Sequence, residues 1–444
     1  MSKINRALCL TAVIALLGAC STPSWLGGGD DAPPLEGERV SILELQRNLE
    51  PDSDALAAQG FVAPTIWRNE FWPQAGGYAN HSMQHIELGE NLKQAWSVKI
   101  GDGASDSLPL TAQPIVVDGK IFTMDTDSIV SAFDITNGKK IWKIDVRDKN
   151  EDDAVIGGGL AYSGGTLYIT NGYNEIIAVS PADGTLAWRA KISAPSRAAP
   201  TVHQGRVFVT TLHNKLVALD ATSGDVLWEY AGLNETAGLI GAASPATGRD
   251  IVVPAFSSGE IVALRVENGA LAWSENLSSR NPLSGLSNIS DIRALPVVDK
   301  GLVIAISFGG RMIAVEERTG SRIWQRDIGG SETPWLAGNH LFVLSNDNEL
   351  IALGRDNGVI RWVTQLPRFD DPEDRDGKLY WTGPVLAGNR LIVAGTRGRI
   401  LEFSPETGDM INEWSVKRSI SVPPVVAGGV LYLLADDGTL MAYR

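Results

Sequence analysis

Short apolar runs alternate with polar turns along most of this chain, and they do so in register with a fixed repeat. Each repeat holds an apolar strand, a polar turn ending in Gly, and a Trp four residues beyond that Gly. The copies are SAFDITNGKKIW ending at Trp142, IAVSPADGTLAW at Trp188, VALDATSGDVLW at Trp228, VALRVENGALAW at Trp273, IAVEERTGSRIW at Trp324 and IALGRDNGVIRW at Trp362. A seventh, LEFSPETGDMINEW, ends at Trp414 and carries two extra residues after its Gly. A repeat of this size marks one supersecondary unit used over and over.

The unit is larger than this hairpin. Eight segments, from QPIVVDGKIFTM to PPVVAGGVLYLL, each supply two more apolar strands around a Gly turn. Four short strands per roughly 40 to 45 residues predict an all-β, eight-bladed β-propeller. The eighth hairpin is cut short, because the chain stops at TLMAYR; a matching Trp strand stands at the other end, in LKQAWSVKI around Trp96. That N-terminal strand is expected to complete the last blade and close the ring, removing two open sheet edges. Residues 88–444 then give about 45 residues per blade.

NG, DG, SG and TG turns allow the positive φ that a tight hairpin needs. Trp96, Trp142, Trp188, Trp228, Trp273, Trp324, Trp362 and Trp414 each offer a flat face to pack between blades and an indole N–H for a backbone carbonyl. These residues are read as a structural motif without chemistry.

The N-terminus has another character. Lys3 and Arg6 precede an apolar run over residues 7–19, too short to span a bilayer and suited to a signal peptide. It ends in Leu17-Gly18-Ala19-Cys20, which matches a bacterial lipobox, so residues 1–19 are expected to leave and Cys20 to carry lipid. Ser21, not Asp, at the next position points to the outer membrane. Cys9 and Cys20 are the only cysteines, so the propeller has no thiol for a disulfide, a metal or a nucleophile.

Residues 20–60, rich in Gly, Pro and acid at their start, read as a flexible tether with an r.m.s. reach of about 35 Å. Residues 61–87 are rich in aromatics. Trp67, Phe71 and Trp72 are expected to lie against the propeller wall, or alternatively to form a docking strip. The net charge of -14 disfavours nucleic acid and anionic lipid as partners.

Candidate chemistry is sparse. His81 and His85 have the i, i+4 spacing of helical metal ligands but lack the HExxH glutamate and sit beside Gly76-Gly77. FDDPEDRDG, residues 369–377, has Pro372 where the first ligand of a calcium loop would stand, and reads as a solvated acidic loop. No GxSxG, Walker or dinucleotide motif is present. Neither a metal nor a cofactor is expected.

The A-x-D-x-x-x-G-x-x-x-W pattern, intact at Ala132, Asp134, Gly138 and Trp142 and at Ala218, Asp220, Gly224 and Trp228, resembles the docking motif of pyrroloquinoline-quinone propellers. Among these, the lipobox, the length, the eight repeats and WPQAGGYANHSMQH at residues 72–85 resemble the BamB family of outer-membrane β-barrel assembly lipoproteins, of the α-proteobacterial kind. The quinoprotein dehydrogenase branch is the alternative, but it stacks its quinone on a vicinal disulfide, and this chain has no Cys pair. A different lipid-anchored binding propeller is the third reading.

The BamB resemblance implies a non-catalytic scaffold at the periplasmic face of the outer membrane, held there by lipid alone. It implies binding to the POTRA domains of BamA and the rest of the assembly complex, and contact with unfolded barrel precursors. It further implies that two loops meet BamA. LSNISDIRALPVV places Ser290, Asp291 and Ile292 in the match, with Arg293 where a second acid is expected. TAGLIGAASP places Leu239 and Gly241 in register, with Ile240 where an Arg is expected. For Asp291 a plain turn-capping role is an equal alternative.

Overall fold

Among the described residues, eight four-stranded antiparallel sheets make up the fold; seven are meanders whose strands run in sequence order, and the eighth takes its outermost strand from the N-terminal side of the chain. The computed structural model describes residues 49–52, 60–148, 155–234, 241–278 and 291–444. The expected signal peptide, Cys20, nearly all of the expected tether, Leu239, Ile240 and Ser290 lie outside the described residues. Residues 50–444 form one compact unit.

Blade 1 shows the pattern, with strands Ile115–Val117, Lys120–Met124, Ile129–Asp134 and Lys140–Asp145. Its middle strands are buried while its outermost strand alternates toward solvent. That gradient explains why the inner strands are mostly apolar while the fourth alternates with charged residues. Turns between first and second strands and between third and fourth lie on one face of the ring. Second-to-third turns and the blade-to-blade connections lie on the other.

The ring closes as the sequence predicts. Gln94–Lys99 pairs antiparallel with Thr439–Tyr443, Trp96 standing opposite Ala442 and Lys99 opposite Thr439. Lys93 and Arg444 exchange backbone hydrogen bonds of 2.7 and 2.9 Å just beyond that pair.

The Trp–Gly repeat has a mechanism that joins neighbouring blades. Trp142 donates its indole N–H to the Pro181 carbonyl in the third-to-fourth turn of the next blade, at 3.2 Å. The same bond runs from Trp188 to Ala221, Trp228 to Val266, Trp273 to Glu317, Trp324 to Arg355, Trp362 to Pro405 and, across the closure, Trp96 to Ile135. Beneath each ring lies the Gly of that turn.

Trp414 departs from the motif. The two extra residues place it opposite Ile400, while Asn412 takes the position opposite Glu402 that the other tryptophans occupy in their blades. The next blade has no third-to-fourth turn to receive it, because the chain's two ends meet there. Its indole donates instead to the Glu402 carboxylate at 2.9 Å, whose other oxygen pairs with Arg390 at 3.0 Å.

The aromatic-rich segment lies against the propeller along the innermost strands of its blades. Residues 69–88 fill the central channel and bond the first strand or first turn of every blade. Trp72 exchanges backbone bonds with Val116, the Pro73 carbonyl accepts from Tyr162, and the Gln74 amide both donates to and accepts from Val202. The Ala79 and Asn80 carbonyls accept from Thr247 and Val298, and Gln84 accepts from Gly338. Ile86 reaches Leu386 and Gly388, and Asn69 reaches Val426 and Gly428. A first strand facing an empty axis would leave one row of backbone groups unpaired; here the plug gives partners to one or two of them in each blade. Trp72 is 1% exposed and stacks on Trp335 at 6.4 Å, Trp67 is half-buried, and Phe71 remains 42% exposed, against the expectation that all three are buried.

Candidate functional site

The two stretches singled out as partner-binding loops are successive blade-to-blade connections. One joins Val226–Ala231 to Ala246–Thr247, the other Leu271–Asn276 to Val297–Asp299. They therefore open on the same face of the ring, opposite the first-to-second turns that the plug reaches. Gly241 has φ +98°, and a β-carbon built on it would lie 3.4 Å from Arg293 Nε. The structure thus brings the described parts of the two loops into contact, and a side chain at residue 241 would meet the Arg293 guanidinium.

Within the second loop the exposure is uneven. Asp291 is 5% and Ile292 1% exposed, whereas Arg293 faces solvent. Ile292 packs with Ala243, Trp273 and Val298 in the apolar seam between these blades. The Asp291 carbonyl accepts from the Phe308 N–H at 2.9 Å, which ties the loop to the second-to-third turn of its own blade. Asp291 and Ile292 are buried where the loop enters its blade, and Arg293 is exposed beside them.

Glu332, in the next blade connection, extends this surface. Its Oε2 accepts from Thr382 Oγ1 at 2.6 Å and from the Gly383 N–H at 3.1 Å. Desolvation by burial raises its pKa above the usual glutamate range, and the Arg293 charge works against that rise. Glu332 and Thr382 carry no sequence signal, since a single Glu in a blade connection and a single Thr in the first strand of a blade, Trp381–Ala387, both look ordinary.

Elsewhere the polar groups are structural. His81 and His85 lie in the plug rather than on a helix. His81 Nδ1 is 2.7 Å from the Pro296 carbonyl; His85 Nδ1 is 3.0 Å from the Pro64 carbonyl, and its Nε2 accepts from the Asn389 N–H. The acidic stretch folds as a small hairpin, Phe369–Asp371 against Asp376–Lys378, where Asp371 caps the N–H groups of Glu373 and Asp374. Among the described residues no group of three or more His, Cys, Asp or Glu is placed to hold a metal ion. A crevice of about 10 Å³ between the first two blades, lined by Leu108, Met124, Asp125 and Val155, has room for about one water molecule and none for a small-molecule ligand.

The sequence pattern of the family described as outer membrane protein assembly factor BamB matches residues 126–364 and 371–444. That match begins beyond the channel-filling segment and breaks at the acidic hairpin. The outer membrane protein assembly factor BamB of Yersinia pestis is 26% identical over 356 residues, covering 79% of this chain and 88% of the relative. BamB from Moraxella catarrhalis superposes with a TM-score of 0.66 at 20% identity, over 80% of this chain and all of that one. A quinohemoprotein alcohol dehydrogenase from Comamonas testosteroni superposes almost as well, at 0.65 and 14% identity, over 88% of this chain and 82% of its own. These two superpositions establish the propeller architecture alone. The family follows from the sequence match: this chain belongs to the BamB family of outer membrane protein assembly factors.

Proposed function

We propose that the protein is a non-catalytic scaffold of outer-membrane β-barrel assembly, anchored by lipid on Cys20 and facing the periplasm. Residues 1–19 act as the signal peptide, 20–60 as the lipidated tether and 61–87 as the segment docked on the propeller. The paired blade connections bind the POTRA domains of BamA, with Arg293 and Gly241 at the contact and Leu239, Ile240 and Ser290 beside them. Asp291 and Ile292 support that contact from below.

The observation that carries this reading is the meeting of the Gly241 and Arg293 loops on one face. Two stretches matched separately to the family's partner loops are adjacent in space. An exposed Arg on a rigid frame suits an electrostatically steered protein interface. The dehydrogenase alternative is disfavoured by chemistry: the propeller contains no cysteine pair to support a quinone.

Affinity purification of the full-length protein from detergent-solubilised outer membranes tests the proposal. Near-stoichiometric BamA in the eluate is expected, and it should survive Cys20→Ser when the soluble variant is mixed with BamA. Recovery of the protein without BamA would contradict the reading.

A further inference from the structure

The outermost strands hold a repeated position whose backbone faces out of the sheet, and the chain itself shows how such a position is used. In blade 6 that residue is Ile360, paired across the strand with Leu353. Asp52, far upstream, donates its N–H to the Ile360 carbonyl at 3.1 Å and accepts the Ile360 N–H on its carboxylate at 2.6 Å. Ile360 is only 4% exposed. Leu186, Val226 and Leu271 hold the same register in blades 2, 3 and 4, opposite Val179, Leu219 and Leu264. They are 55%, 48% and 53% exposed.

The flanking residue sets what each position accepts. In blade 5, Arg326 stands two residues after the docking Trp, touches the Gly358 carbonyl of the next turn at 2.6 Å, and pairs with Asp52 at 2.9 Å. At Leu186, Val226 and Leu271 the equivalent neighbours are Ile144, Ala190 and Tyr230, all half-buried. Ile144 likewise sits against its turn, 2.7 Å from where a β-carbon on Gly184 would be. An acid is therefore matched at the blade 5–6 junction and an apolar side chain at the other three.

We propose that the outer edges of blades 2, 3 and 4 are docking points for an extended polypeptide segment with apolar residues at alternate positions. The segment pairs its backbone with Leu186, Val226 or Leu271, as Asp52 does with Ile360, and sets an apolar side chain against Ile144, Ala190 or Tyr230. Main-chain bonds supply affinity and the alternate side chains supply selectivity. A bulge before the docking Trp, as at Ala218/Leu219 opposite Trp228 and Val226, limits each edge to a short stretch of pairing and so guards against indefinite strand addition. This surface lies on the rim, apart from the Arg293 face, and stands or falls independently of BamA binding.

Fluorescence anisotropy with a labelled peptide of about ten residues, alternating Val or Leu with Thr or Gln, tests it on the full-length protein. Saturable binding is expected. It should be lost when alternate residues of the peptide are proline, which cannot donate to the edge, and weakened roughly tenfold in the combined variant Leu186→Asp, Val226→Asp, Leu271→Asp. BamA binding by that variant should be unchanged. If the combined variant does not fold, single Leu186→Gln, Val226→Gln and Leu271→Gln variants carry the test, each expected to weaken binding about two- to threefold. No saturable binding, or binding indifferent to both proline and the rim substitutions, overturns the proposal while leaving the scaffold function intact.

Discussion

Gly224 lies beneath the indole of Trp188 in the preceding blade, so close that a β-carbon there would sit 2.7 Å from Cε3. The glycine also has φ +79°. One residue therefore answers two demands, the left-handed hairpin turn and the approach of the neighbouring ring. Gly224→Ala should cost about 2 to 4 kcal/mol, more than the turn alone would. A chemical melt of the variant, with Gly205→Ala as a positive-φ control that meets no neighbour, checks it.

Trp414 gives the contrasting prediction, because it serves the Glu402–Arg390 pair instead of a neighbouring turn. Both charged side chains are about 5% exposed. Glu402→Ala strands a buried guanidinium and should destabilise by about 3 to 5 kcal/mol, whereas Glu402→Ala with Arg390→Met should recover much of that loss. Denaturant titration of the two variants decides.

Trp72 makes the plug testable. Its burial in the channel against Trp335 predicts a loss of about 3 to 5 kcal/mol for Trp72→Ala. Phe71→Ala, next in sequence but exposed, should change stability by less than about 1 kcal/mol. Equal effects would contradict the placement of the segment.

Acid should weaken the same region. Burial lowers the pKa of His81 to about 4, and burial with the nearby Arg361 charge lowers that of His340 to about 4. The unfolded chain takes up these protons near pH 6.5, the folded one only near pH 4, so between those values the unfolded state binds more protons. Stability is full above about pH 6.5 and falls toward pH 4, by up to about 3 kcal/mol for each histidine. Thermal melts across this window should show a decline that is smaller in His340→Phe.

The propeller, its closing strand and seven Trp–Gly docking pairs were legible because each rests on a spacing written many times. Trp414 was legible as an irregularity but not in its role, which depends on the closure leaving the eighth blade without a turn. The plug was hidden for a different reason: its bonds run through backbone carbonyls and through Asn69, Gln74 and Gln84 to strands up to several hundred residues away. No local period marks such a segment. For the loops, the sequence named candidate stretches but not which of their residues are buried, since burial of Asp291 and Ile292 and exposure of Arg293 follow from how the blade connections pack.

We propose that this family member binds BamA through the face carrying Arg293. Calorimetric titration of the purified protein with the periplasmic region of BamA tests it most directly. One-to-one binding is predicted, with Arg293→Glu weakening it by about 1 to 3 kcal/mol at unchanged melting temperature. Asp291→Arg, which forces a second charge into a buried site, should instead lower the melting temperature. Absence of wild-type binding, or full affinity retained in Arg293→Glu, would contradict the claim.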